Sequence, residues 1–172
     1  MRASQVAHLD LLHVSPADLA EMVCGPRPED SGFAVRDVFQ VMLDEQLRVL
    51  PDLGGSAPLA DALWRVLDRW PLDLKRSFVA FVTASSHLPP PGTELLRVEL
   101  PFVALTASDS AQQLTMLPQA HSCENLLELP NYWAALVKRD GRDASLDELD
   151  RVLEERLRYA VTECAAFDLD EL

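Results

Sequence analysis

SLDELDRVLEERLRYAVTEC, residues 145–164, is the stretch that most limits what this chain can fold into. Ser145 and Glu148 form an S-x-x-E capping box, which starts a helix. Leu149, Val152, Leu153, Leu157, Ala160, Val161 and Cys164 then fall on one face at helical spacing. A long helix with one apolar stripe must bury that stripe against something, so the rest of the chain has to supply a platform.

Upstream, Ser15-Pro16 predicts another helix start, a hydroxyl cap followed by proline at the first helical position. Leu19, Met22 and Val23 give it an apolar stripe, and Gly25-Pro26 stops it. Val35, Val38, Val41, Met42, Leu47 and Val49 suggest a second helix over about residues 34–49. LPDLGGSAP, 50–58, holds Gly54-Gly55-Ser56 between two prolines and reads as a hinge. Beyond it, Leu59, Leu63, Val66, Leu67 and Trp70 repeat at helical spacing until Pro71, and Leu74, Phe78, Phe81 and Val82 make the next helix. LLRVELPFVAL (95–105), LTML (114–117) and NLLEL (125–129) are short strand candidates, the first demoted to an edge or a bulge by Pro101. The expected class is therefore α+β, a small sheet of short strands packed with helices.

The formal charge of −13 argues against nucleic acid and anionic membrane as partners. No apolar run approaches the length of a membrane span. Cys24, Cys123 and Cys164 are odd in number and widely spaced, which suggests reduced thiols and a cytoplasmic or nuclear protein. Phosphate-loop, dinucleotide-glycine and H-E-x-x-H patterns are absent, so no cofactor and no metal site is expected. Of the 15 basic residues only Lys75 and Lys138 are lysine, through composition bias or avoidance of amine-modifying chemistry.

Cys123 sits in LPQAHSCENLLELP, 117–130, at the entry to a strand candidate. From the residues alone it is either a small hydrophobe in a core or a nucleophile on a loop. Between Val98 and Val137 there is no lysine or arginine, and the nearby charges are Glu99, Asp109, Glu124 and Glu128. None of these favours a thiolate, and His121, two positions away, shares a strand face with Cys123 without necessarily touching it. A cysteine hydrolase needs an ion pair and an oriented base. A thiol that exchanges with an incoming thioester does not, because attacking and leaving sulfurs are alike. The chemistry therefore leans towards acyl relay.

LPQAHSCENLLELPNY resembles the catalytic segment of HECT-type ubiquitin ligases, matching at Leu117, Pro118, Ala120, His121, Cys123, Asn125, Leu127, Leu129, Pro130 and Tyr132. Ser122 replaces the usual threonine. FVAFVTASSHLPPPG is similar to the family's Phe-x-x-Phe-Val-Thr-Gly-x-x-x-Leu-Pro-x-x-Gly, LADALWRVLDRW to its Phe-Trp-x-x-Leu helix, and PADLAEMVCG to its Pro-x-x-Leu-x-x-Leu-x-Cys-Gly helix. ERLRYAVTECAAFDLDEL resembles the end of the HERC-type giant members.

The resemblance implies the last, helical part of an N-terminal lobe over 1–50, an interlobe hinge at 51–58 and a C-terminal lobe over 59–172. It implies ubiquitin received on Cys123 from a ubiquitin-conjugating enzyme and passed to a lysine of a protein substrate. His121, Ser122 and Asn125 either hydrogen-bond around the thioester or hold the turn. Phe167 corresponds to a near-terminal phenylalanine that places the tail. Asp168 and Asp170, with Glu171, either orient the attacking amine or form a solvated tail. Cys24 and Cys164 are expected in the core. A ubiquitin tail added as a strand would use 125–129 as its platform.

Three further departures from the family bear on its activity. Glu124 replaces an aromatic residue and puts a carboxylate beside the nucleophile. WAALVKRDGRDA, 133–144, is longer than the usual link to the last helix. Most of the N-terminal lobe, which docks the conjugating enzyme, is missing, so the chain reads as a fragment with poor loading of its own. The alternative is a weakened lobe that binds ubiquitin or a partner without catalysis.

Overall fold

The computed structural model describes residues 15, 18, 32–44, 57–85, 87–101 and 110–167. Within them the order is α1 (Val35–Val38), β1 (Phe39–Leu43), α2 (Pro58–Arg69), α3 (Leu72–Thr83), β2 (Glu94–Glu99), α4 (Ser110–Thr115), β3 (Gln119–His121), a 3-10 turn (Ser122–Glu124), β4 (Leu126–Glu128), α5 (Tyr132–Asp140), a second 3-10 turn (Gly141–Asp143) and α6 (Leu146–Phe167). The class is α+β.

The last helix forms where its stripe predicts. Ser145 Oγ accepts from the Glu148 amide at 3.0 Å, but the Glu148 carboxylate turns outward to Arg151 and Arg139, so only half of the capping box closes. Leu149, Leu153, Leu157 and Val161 are buried against α2 and α3. Asp150, next to the stripe, is buried too. It accepts from Arg65 at 2.7 and 3.2 Å and from Arg69 at 3.1 Å, a charged clamp between α2 and α6.

α2 begins with Pro58 at its first position and buries Leu59, Leu63, Val66 and Leu67. α3 stops at Ala84, which takes the left-handed conformation (φ 53°) and donates its amide to the Ala80 carbonyl at 2.8 Å. In the first predicted helix, Ser15 Oγ accepts from the Asp18 amide and the Asp18 carboxylate accepts from the Ser15 amide. Its remainder, Cys24 included, lies outside the described residues, as do 51–56 of the predicted hinge.

The four-stranded sheet runs β1-β2-β4-β3, with β1, β2 and β4 parallel and β3 antiparallel to β4. Leu96, Val98 and Leu127 point into the core, while Arg97 and His121 share the outer face with Leu126.

Two sequence expectations are corrected here. In the described part, 34–44, the helix expected over 34–49 is a single turn followed by β1, whose FQVML alternates buried Phe39 with exposed Gln40 and Met42, while 45–49 lie outside the described residues. The segment 1–50 is therefore not wholly helical. LTML is not a strand, because Leu114 and Thr115 end α4 and Leu114 fills the core as a helical residue.

β1 pairs directly with β2, and Val35, Val38 and Phe39 join the same core as α2 to α6. The Arg36 guanidinium lies 4.9 Å from the centre of the Trp64 ring. Described residues on both sides of 51–56 thus share one sheet and one core.

Candidate functional site

β3 and β4 form a hairpin. His121 pairs with Leu126, and residues 122–125 make the loop between them. Four residues close such a hairpin when a tight turn is followed by a left-handed residue. Here the 3-10 turn Ser122–Glu124 is followed by Asn125 at φ 47°, whose amide returns to the Ser122 carbonyl at 3.4 Å. Asparagine tolerates this conformation better than most residues. The turn lifts Cys123 off the sheet, and its thiol is free and exposed. Of the two readings of Cys123, the buried one fails.

The hairpin is anchored from below. Leu127 and Leu129 are buried in the core, and the turn packs against α3. The fully buried Tyr132 donates its hydroxyl to the Met116 carbonyl at 2.7 Å, joining the start of α5 to the chain entering β3. Burial pushes this phenol far above its ordinary pKa, so it stays a donor. The long link 133–144 is ordered as α5 and the second 3-10 turn, and the Asn131 side chain caps α5 by accepting from Ala134 N at 3.1 Å.

His121 points along the outer face, with Nε2 3.6 Å from Glu128 Oε2. Among the described residues no histidine hydrogen-bonds to Cys123, so the oriented base a hydrolase needs is not assembled. Asn125 Nδ2 donates to Glu94 Oε2 at 3.0 Å. Asn125, Glu94, Thr83, Ser85, His87, Pro89 and Pro90 line an open groove of about 270 Å³ beside the turn.

His121, Ser122, Cys123 and Asn125 therefore come together on one hairpin. Phe167 is the last residue of α6, and Asp168 and Asp170 lie outside the described residues, as does the Cys164 side chain. The platform strand is corrected. β4 is hydrogen-bonded on both sides, to β2 and β3, and has no open edge for an added strand.

The family model for the HECT-domain (ubiquitin-transferase) matches residues 4–170. The chain belongs to the HECT family. It is 28% identical over 161 residues to the E3 ubiquitin-protein ligase UPL4 of Arabidopsis thaliana, covering 93% of this chain and 9% of that protein. It is 26% identical over 147 residues to the E3 ubiquitin-protein ligase etc-1 of Caenorhabditis elegans, 83% of this chain and 13% of the relative. Over 90 residues it is 32% identical to the probable E3 ubiquitin-protein ligase HERC3 of Homo sapiens, 52% of this chain and 8% of that protein. This HECT chain thus spans roughly a tenth of the length of these relatives.

Sequence reading missed one residue beside the hairpin of this HECT chain. Arg97 stands just before the stretch that lacks basic residues. The parallel pairing of β2 with β4 sets it opposite Leu126, and its Nη1 donates to Glu124 Oε2 at 3.2 Å. Its Nη2 binds Glu99, and its backbone amide donates to the Asn125 carbonyl at 3.0 Å. A parallel register joining residues 27 apart leaves no local pattern that could have signalled the pair.

Proposed function

We propose that this chain is the acyl-carrying part of a ubiquitin ligase. The Cys123 thiolate attacks the carbonyl carbon of a ubiquitin thioester, and the thiolate of the conjugating enzyme leaves. The ε-amine of a substrate lysine then attacks the new thioester, forms an amide, loses a proton to solvent and releases Cys123. The observation that carries this reading is the free, exposed Cys123 on a hairpin turn backed by core residues. A bulky acyl donor can reach such a sulfur, and the backing limits its motion.

The incoming ubiquitin tail is extended and best met by an open strand edge. Among the described residues β3, which leads into the Cys123 turn, is an outer strand of the sheet, so we assign the tail to that edge. Ubiquitin, a conjugating enzyme and a protein substrate are the partners this reading requires, and its reduced thiol suits the cytosol or nucleus. The Glu124 carboxylate, which would weaken the nucleophile and so favour a lobe that only binds, is engaged by Arg97.

The test bypasses the conjugating enzyme. Ubiquitin supplied as the thioester of a small thiol should give an adduct that dithiothreitol removes. Cys123→Ala should abolish it, while Cys24→Ala and Cys164→Ala keep it. Ubiquitin binding without any adduct would favour the binding-only lobe.

A further inference from the structure

We propose that Arg97 is a positioning residue whose guanidinium offsets the Glu124 carboxylate beside Cys123 and so keeps the thiol reactive. The proposal rests on Cys123 being the nucleophile of the function proposed above.

A thiolate must form before Cys123 can attack the incoming thioester, and nearby negative charge disfavours it. The hairpin is ringed by carboxylates. Glu94 and Glu99 come from β2, Glu124 from the turn itself and Glu128 from β4. His121 faces Glu128 at 3.6 Å, and Asn125, which is neutral, takes Glu94. Arg97 holds both Glu124 and Glu99, and its cation is therefore shared between two anions. Without it, the residue after Cys123 would carry an unopposed carboxylate.

The pair is also built into the sheet. The Arg97 amide donates to the Asn125 carbonyl, so the backbone that fixes the turn also fixes where the guanidinium starts. Glu124 is more than half exposed. Solvent screens such a pair, and an effect of about threefold on the rate at which Cys123 reacts is the size to expect.

The experiment reads the thiol directly. Iodoacetamide is uncharged. The Cys123 sulfur bonds to its methylene carbon, the carbon–iodine bond breaks, iodide leaves and the thiol proton goes to solvent. The rate is followed on the Cys123-containing peptide by mass spectrometry, at low and high salt. Arg97→Gln should react about threefold more slowly at low salt, with the difference shrinking at high salt. Arg97→Lys should stay near the wild type, and Arg97→Gln combined with Glu124→Gln should recover its rate. A double variant as slow as Arg97→Gln, or Arg97→Gln itself as fast as the wild type, overturns the proposal.

Urea midpoints check folding. Should Arg97→Gln fail to fold, Glu124→Lys decides: it should react faster than the wild type, and an unchanged rate overturns the proposal. Alkylation needs no ubiquitin. A chain that follows this pattern but never forms a ubiquitin adduct would sink the proposed function and leave the role of Arg97 standing.

Discussion

The Tyr132 hydroxyl donates to the Met116 carbonyl at 2.7 Å, and the two residues bracket the hairpin that carries Cys123. Tyr132→Phe leaves that carbonyl without its donor and should lower stability by about 1–2 kcal/mol. A urea titration reads this as a lower midpoint at unchanged slope. An unchanged midpoint would mean that the bond does not hold the hairpin.

Ala84 closes α3 in the left-handed conformation, where the family motif carries glycine. A β-carbon there costs about 1 kcal/mol. Ala84→Gly should therefore raise the urea midpoint, unlike most glycine substitutions. A lower midpoint would show that the gain in unfolded-state entropy wins.

The sequence allows Asn125 two roles, holding the turn or hydrogen-bonding around the thioester. Its φ of 47° supports the first. Asn125→Gly should keep the fold and load ubiquitin to within about twofold of the wild type, because glycine accepts the same conformation freely. Asn125→Val should cost about 1–2 kcal/mol. Loading lost in the glycine variant, with stability kept, would point to the second role.

Glu148 is held below the ordinary carboxylate range, chiefly by the Arg151 guanidinium and further by Arg139. Arg139 lowers Asp140 in the same way. A carboxyl whose pKa is depressed on folding stabilises the protein above its unfolded pKa and loses that contribution as pH falls through the folded value. Thermal midpoints of the wild type and Glu148→Gln should differ at neutral pH and converge in acid, once the depressed Glu148 carboxyl is protonated in the folded chain. A gap that persists in acid would mean the loss comes from something other than the ion pairs.

How much the sequence disclosed depended on how local each signal was. α2, α3 and α6 carry their stripes within one segment, and all three form close to where the spacing puts them. β1 is masked in the sequence because Val35, Val38, Val41 and Met42 suit a helix, and its alternation spans only five residues. Its partner β2 lies some fifty residues downstream. Cys123 was legible because its flanking motif is contiguous. Arg97 was not, because only the parallel register brings it to Glu124. The interior position of β4 also follows from strand order, which no single segment encodes.

The central claim is that the exposed sulfur of Cys123 takes ubiquitin through its C-terminus. The most direct test treats the folded chain with ubiquitin bearing a C-terminal electrophile and maps the adduct by mass spectrometry. The account predicts a single adduct on the Cys123 peptide, absent in Cys123→Ala and retained in Cys24→Ala and Cys164→Ala. An adduct that survives loss of Cys123, or none on the folded chain while the same reagent labels an established HECT ligase, would contradict it.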